Sequence, residues 1–458
     1  MADKQLRAGA AASHITPPLG ISLNGGMQDR TAVHIHDELH ARCLVLDNGE
    51  TSLAIVVCDS CMIPQSILNH AKHLAHGHTA IPLDQMLVSA THTHTAPTLG
   101  AVFQSEPDPR YGEFLAVRIA DGIRRAHHNL APAEIGWGVG RDETQVFNRR
   151  WKMREGLAML DPFGKPDHVK MNPPVGSPDL VEPAGPIDPE VGVLAVRSRE
   201  GRPLALLANY SLHYVGNTGP GDVSADYFGA FADRLQQLLS ADRLSADNLA
   251  PPFVGIMSNG TSGNINNVNF RQAGPAQPPY AQIHFVADRL ATEAARVAGQ
   301  IEYRPWVPLA MRQAKLRLAR RSTPKDEVAR AKFILSQAKT PVLARVDEVY
   351  ARETVLLNEY PPFVETIVQA LRIGDLGIAT SPCETFVETG LAIKSASPLK
   401  PTFTIELAND YCGYLPTAEH HQLGGYETWR ARSSFLEVDA EAKVRATILE
   451  QLKLVAMG

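Results

Sequence analysis

The sequence lacks a long apolar run, and no stretch approaches the ~18 uncharged apolar residues of a transmembrane helix. Residues 1–7 contain no apolar segment of the kind that a secretory signal needs. Cysteine is scarce as well, with five in 458 residues, and an odd number fits a reducing compartment better than a disulfide framework. These absences predict a cytoplasmic protein without stable membrane association.

Basic runs, internal repeats and low-complexity segments are also missing. Lysine and arginine are scattered, the net charge is −5, and basic and aromatic residues do not alternate. The pattern therefore excludes a typical nucleic-acid-binding protein. We expect a small-molecule substrate, and the sequence leaves open whether the chain forms a homo-oligomer.

A second cysteine pair is absent too. Cys58 and Cys61 have C-x-x-C spacing, but they follow the apolar strand predicted over 53–57. Because no further pair completes a zinc site, we interpret these two cysteines as structural.

Strand-like and helix-like patterns alternate along the chain. An Asn-Gly turn at 48–49 between two apolar runs predicts a hairpin. The alternation predicts an α/β fold with mixed β-sheets flanked by helices. We expect one domain over 1–458, with a helical insertion at about 322–358 and a long surface loop over 160–190. Further predictions are helices over 65–76, 111–130 and 439–454 and a hairpin over 370–380.

Two histidines lie one residue apart directly after the apolar run 86–88. In an extended chain, residues i and i+2 point to the same face, so His92 and His94 would share a face. Imidazole is a common zinc ligand, and strand ends are where open sheets place their chemistry. A solvated strand end is the alternative interpretation, so a metal site requires further ligands.

Other predicted strands also end in candidate ligands. His213 follows the apolar strand over 204–210, and Glu384 follows the hairpin over 370–380. A tyrosine-rich loop lies at 409–414. Two imidazoles and a carboxylate suffice for a catalytic zinc, which keeps a position for water. Magnesium would require more carboxylates, so the set favours Zn²⁺.

The strand over 254–257 ends in a polar, glycine-rich turn. Such a turn exposes backbone N–H groups and permits close approach of a ligand. We therefore predict that Ser262, Gly263 and Asn264 bind substrate. A plain loop is the alternative.

From Ala8 to Glu427 these blocks, in the same order, resemble the catalytic domain of neutral (non-lysosomal) ceramidases and their bacterial relatives. The resemblance implies a ceramidase-like catalytic fold, without the C-terminal sandwich domain of that family. It implies the zinc ligands His92, His213, Glu384 and Tyr414. It also implies three catalytic positions, which are His94 for proton transfer, Tyr426 for the oxyanion, and Arg149.

One departure from the family pattern bears on mechanism. Ceramidases carry a serine in the block Asn-Ala-Gly-Asp-Val-Ser-Pro-Asn, whereas the stretch here, 259–266, has Asn264 at that position. Ser262 lies two residues away. Asparagine can form hydrogen bonds but cannot carry an acyl group, so attack by water is favoured over an acyl-enzyme.

The sequence thus predicts a zinc-dependent hydrolase that cleaves the amide bond of an N-acyl compound. Because the sandwich domain and the signal sequence are missing, we expect a small or moderately polar substrate rather than long-chain ceramide. One alternative is an ester or lactone hydrolase at the same zinc. Another is a non-catalytic metal-binding relative, which would not need His94, Arg149 and Tyr426.

Overall fold

The computed structural model describes residues 4–239 and 251–457, and its two largest β-sheets, of eight and four strands, pack face to face between layers of helices. The predicted α/β class, with mixed sheets flanked by helices, is confirmed.

The strands are β1 (Arg7–His14), β2 (Ser22–Leu23), β3 (Arg30–Thr31), β4 (His34–Ile35), β5 (His40–Asp47), β6 (Ser52–Cys58), β7 (Met86–Ala90), β8 (Ala131–Arg141), β9 (Phe147–Asn148), β10 (Arg150–Met153), β11 (Val169–Met171), β12 (Leu180–Pro183), β13 (Glu190–Ser198), β14 (Pro203–Tyr210), β15 (Asp222–Val223), β16 (Val254–Asn259), β17 (Ile265–Asn266), β18 (Leu309–Ala319), β19 (Phe363–Ile373), β20 (Leu376–Thr380), β21 (Glu384–Thr385), β22 (Thr402–Ile405) and β23 (Tyr414–Leu415). The α-helices are α1 (Gln65–Thr79), α2 (Pro109–His128), α3 (Asp226–Leu238), α4 (Ala281–Ala298), α5 (Lys325–Ser336), α6 (Val346–Leu357), α7 (Val387–Ala396), α8 (Ala418–Leu423) and α9 (Ala440–Met457).

The larger sheet has eight strands in the order β16-β14-β13-β8-β1-β5-β6-β7. Its end pairs, β14 with β16 and β6 with β7, are parallel, and the pairings between them are antiparallel. The smaller sheet has the order β18-β19-β20-β22, and its last pair is parallel.

Alternate side chains of β5 belong to two different apolar cores, one on each face of the larger sheet. Leu44 and Leu46 face the smaller sheet, where they join Leu371 and Ile405. Cys43 and Val45 point the other way, toward α1 and α2. Successive side chains of a strand point to opposite faces, so each sheet is covered on both sides.

Helices cover the outer faces of the two sheets. α1 and α2 pack on one half of the larger sheet, and α3 and α4 pack on the other half. α9 packs on the smaller sheet. Among the helices that the structure describes, none is both long enough and apolar enough to cross a bilayer.

The segment after β22 brings the predicted strand ends together. His92 follows β7, His213 follows β14, and Glu384 follows β20. β7 and β14 run in opposite directions in the larger sheet, because five antiparallel pairings lie between them. The Ala90 N–H at the end of β7 donates to the Leu407 carbonyl over 3.1 Å, and the Glu406 N–H donates over 3.1 Å to the carbonyl of Asn259, at the end of β16 beside β14. The three strand ends from which ligands were predicted therefore meet at this segment.

The segment 160–190 differs from the prediction of a loop without strands. β11 and β12 lie within it and pair with β10 in a three-stranded sheet. These strands are three and four residues long, too short to show a period, and they depend on pairing with a distant segment.

Candidate metal centre

His92 is held in an unusual backbone conformation at the end of β7. Its φ is 77°, a region that residues other than glycine rarely adopt. Its N–H donates to the carbonyl of Ser60 over 2.8 Å, and its Nδ1 donates to the carbonyl of Cys61 over 2.7 Å. With Nδ1 occupied, Nε2 is left as the ligand atom. The C-x-x-C segment thus orients His92 through backbone groups.

Four side chains converge at one point. Nε2 of His92 lies 3.1 Å from Nε2 of His213 and 3.1 Å from Nε2 of His94. Oε2 of Glu384 lies 3.2 Å from Nε2 of His92 and 3.8 Å from Nε2 of His213. The side chains of His92, His213 and Glu384 are at most 3% exposed.

This arrangement fits a cation. Oε2 of Glu384 is buried and makes no hydrogen bond within residues 4–239 and 251–457, which is costly for a carboxylate. Burial lowers the pKa of His213 and of His94 well below the usual range, which favours the neutral form that binds metal. Burial also acts to lower the pKa of His92, but the adjacent Glu384 carboxylate outweighs it and raises that pKa, as expected where a positive charge is favoured. His92, His213 and Glu384 form one candidate ligand group, and Cys61, His92 and His94 form a second.

Three tyrosines lie near Glu384, the acidic candidate ligand. The Tyr411 hydroxyl donates to Oε1 of Glu384 over 2.9 Å. β21 and β23 pair Glu384 directly with Tyr414, and the rings of Tyr414 and Tyr426 lie 5.9 Å apart. Tyr411 was missed as a site residue, although the tyrosine-rich loop indicated its position.

His94 lies in a gap that a glycine leaves open. A Cβ atom on Gly25, whose φ is +100°, would lie 2.4 Å from the His94 ring. The His94 ring also stacks on that of Tyr214, with centroids 3.7 Å apart. His94 is thus packed against both neighbours, and its Nε2 lies beside that of His92.

Arg149 lies behind Tyr414. Its Nη2 donates to the Tyr414 hydroxyl over 3.1 Å and to the Gly263 carbonyl over 2.8 Å. Its Nε contacts Glu427 at 3.0 Å, and Arg150 contacts the other oxygen of Glu427 at 2.6 Å. Burial raises the pKa of Glu427, but the two guanidinium groups lower it further, so the net direction is downward. Sequence reasoning missed Glu427.

Two of the predicted substrate-binding residues are engaged by the protein instead. Oδ1 of Asn264 accepts from the backbone N–H of Val387 over 2.9 Å, and Nδ2 donates to Glu388 over 2.9 Å. The N–H of Gly263 donates to the Thr385 carbonyl over 2.9 Å. Within the described residues, neither lines the cavity beside the histidines.

Ser262, the third predicted substrate-binding residue, contacts His213, a candidate ligand, on the Nδ1 side of its ring. Its Oγ donates to Glu406 over 2.6 Å and lies 3.3 Å from Nδ1 of His213. Glu406 also accepts from the Thr385 N–H over 2.7 Å. Burial raises the pKa of Glu406 to about 8. The sequence did not indicate Glu406, which lies 144 residues from Ser262.

A Ser262→Ala variant is expected to weaken metal binding about 10–100-fold, as is common when a group that orients a metal ligand is removed. The metal dissociation constant, measured by competition with a chelator, checks this. At saturating metal, turnover should fall less than ~10-fold, because we expect water, and not Ser262, to be the nucleophile. Trapping of an acyl-serine would contradict the prediction.

The cavity beside the cluster is small, with a volume of about 30 Å³. His92, His94, Glu384, Tyr411, Tyr414 and Tyr426 form its polar wall. The structure therefore brings together six residues that can bind metal or exchange protons, five of them predicted from the sequence.

No protein-family model matches the chain. Solved structures do. A neutral ceramidase from Pseudomonas aeruginosa superposes with a TM-score of 0.73 and 19% identity, covering 99% of this chain and 75% of that one. A ceramidase complexed with C2 superposes with a TM-score of 0.71 and 18% identity, with the same coverage. The chain has a ceramidase-like fold.

Proposed function

We propose that this protein is a zinc-dependent hydrolase that cleaves the amide bond of a small N-acyl compound with water as the nucleophile. The observation that supports the proposal is the convergence of three imidazole Nε2 atoms and a carboxylate oxygen of Glu384 that lacks a hydrogen bond within the described residues. Five free, buried cysteines favour a reducing, cytoplasmic setting.

The metal would be held by His92, His213, Glu384 and Tyr414. A zinc ion lowers the pKa of a coordinated water toward ~7 and polarises a carbonyl oxygen. His94, whose ring is neutral, accepts the proton of the attacking water and passes it to the leaving nitrogen. The Tyr426 hydroxyl donates a hydrogen bond to the developing oxyanion. Arg149 holds Tyr414 in place from behind.

The residues around the ligands favour an enzyme over a metal-stabilised binding protein. A structural zinc site also has four protein ligands, so the number of proposed ligands does not decide between the two. The cavity beside the ligands, which His94 and Tyr426 line, is a feature that a structural site does not need. The ceramidases with which the chain superposes share its fold, and an amide hydrolase is consistent with that likeness.

The test is metal analysis of the purified protein together with a parallel activity screen. We expect one zinc per chain and turnover of N-acyl amino acids or N-acyl amines. Faster turnover of esters or lactones would move the assignment to that class. If the zinc-loaded protein turns over none of these substrates, the result would support the alternative of a non-catalytic metal-binding protein.

Replacing Tyr426 with phenylalanine is expected to lower kcat about 10²–10³-fold, the usual loss when one oxyanion donor is removed. The metal content should not change, because Tyr426 is not in the proposed ligand set. Steady-state kinetics and metal analysis on the same preparation check both parts. Tyr360→Phe, at a side chain that is 40% exposed, serves as the control. Unchanged kcat in Tyr426→Phe would remove this residue from the mechanism.

A further inference from the structure

The helical insertion, which contains α5 and α6, takes no part in this mechanism, yet α6 contacts Phe103 at the wall of the cavity. The Phe103 carbonyl accepts hydrogen bonds from Arg352 of α6 and, over 2.6 Å, from Arg432. Phe103 has a φ of 52°. A phenylalanine in this conformation persists only where its surroundings over-determine it, and such strain concentrates at functional sites.

The neighbouring residue is fixed to the same insertion. Nε2 of Gln104 donates to the Leu343 carbonyl over 3.0 Å, and the Leu343 N–H donates back to Oε1 of Gln104 over 2.8 Å. Behind them, Glu353 is fully buried and binds Arg432 through both carboxylate oxygens, at 2.7 and 2.9 Å. The insertion thus fixes Phe103 from two directions.

Phe103 belongs to the apolar wall of the cavity, with Met62 and Val102. The volume of about 30 Å³ is well below the ~300–1,000 Å³ of pockets that hold drug-sized ligands. In the proposed mechanism His94 passes a proton to the leaving nitrogen, which therefore lies on the His94 side of the cavity. The acyl substituent then takes the side lined by Phe103, Met62 and Val102.

We propose that Phe103, fixed by the helical insertion, limits the acyl group of the substrate to a short chain, of which acetyl is the simplest. This inference rests on the proposed function and specifies its substrate class. A longer acyl chain would have to displace the Phe103 ring, because Phe103 is only 4% exposed and its ring packs against that of Tyr350 of α6, with centroids 6.0 Å apart. Interiors packed at protein density yield little to such a change.

The experiment compares acetyl, hexanoyl and dodecanoyl amides of one amine on the zinc-loaded full chain. For the wild type we expect kcat/KM on the acetyl amide to exceed that on the hexanoyl amide at least ~10-fold. Phe103→Ala should raise kcat/KM on the hexanoyl amide at least ~10-fold and change the acetyl value less. Phe103→Leu provides a milder second variant if Phe103→Ala fails to fold.

Phe163→Ala is the matched control. Phe163 packs in the same apolar cluster, with its ring 6.1 Å from that of Tyr350, but it is not among the residues lining the cavity. It should leave the acyl preference unchanged. A preference of the wild type for hexanoyl or dodecanoyl amides would overturn the inference and leave the proposed function standing.

A binding measurement separates this inference from the hydrolase proposal. Calorimetric titration of the zinc-loaded protein with acetate and with hexanoate needs no turnover. Tighter binding of acetate, reversed in Phe103→Ala, supports the inference even if no amide is cleaved. Equal or tighter binding of hexanoate, or binding of neither, overturns it.

Discussion

A His213→Ala variant is expected to lose its bound metal and at least ~10³-fold in kcat/KM, since the metal supplies several kcal/mol of transition-state stabilisation. His213 is 1% exposed, and its Nε2 lies 3.1 Å from that of His92. Its removal would therefore take one candidate ligand atom out of a buried cluster. Metal analysis after dialysis and steady-state kinetics measure the two losses. Full metal content with full activity would exclude His213 as a ligand.

His94→Ala is the informative comparison, because its Nε2 is equally close to His92. If His94 transfers protons, the variant keeps its metal and loses turnover by about 10²–10⁴-fold, the usual contribution of general acid–base catalysis. Loss of metal from this variant would instead make His94 a ligand and require another proton carrier.

A Glu427→Ala variant is expected to destabilise the protein by about 3–5 kcal/mol, because it leaves two buried guanidinium groups without a counter-charge. Glu427 and Arg150 are fully buried, and the side chain of Arg149 is 5% exposed. The change in the free energy of unfolding, from urea denaturation, checks the value. Metal binding should weaken in parallel, since Arg149 would no longer be held against Tyr414.

The control for this effect is Glu50→Ala. Glu50 pairs with Lys4 at 2.7 Å, but both side chains are 60% exposed, and such surface pairs contribute at most about 1 kcal/mol. A loss below about 1 kcal/mol for Glu427→Ala as well would mean that water or rearrangement satisfies the two arginines.

The candidate ligands could be predicted because their signal is local. His92, His213 and Glu384 each follow a recognisable apolar strand, and strand ends are where open sheets place their chemistry. The α/β class followed from the same strand and helix periods. These features depend on residues close in sequence, which single-sequence reasoning can read.

The supporting residues could not be predicted because their partners are distant in sequence. Glu427 binds arginines 277 and 278 residues away, and Glu406 reaches Ser262 across 144 residues. Nothing near either glutamate distinguishes it from a surface carboxylate. Asn264 shows the converse, because its turn predicted ligand contact but tertiary packing directs the side chain to Glu388.

The ligand cluster joins two separate sheets. His92 and His213 follow strands of the eight-stranded sheet, whereas Glu384 follows a strand of the four-stranded one. A cation bound there would be held by residues from both sheets. Its binding would therefore stabilise the packing of one sheet against the other. At a free concentration 100 times its dissociation constant, a ligand that binds only the folded chain adds about 2.7 kcal/mol. The free metal concentration would then change the free energy of unfolding as well as the activity.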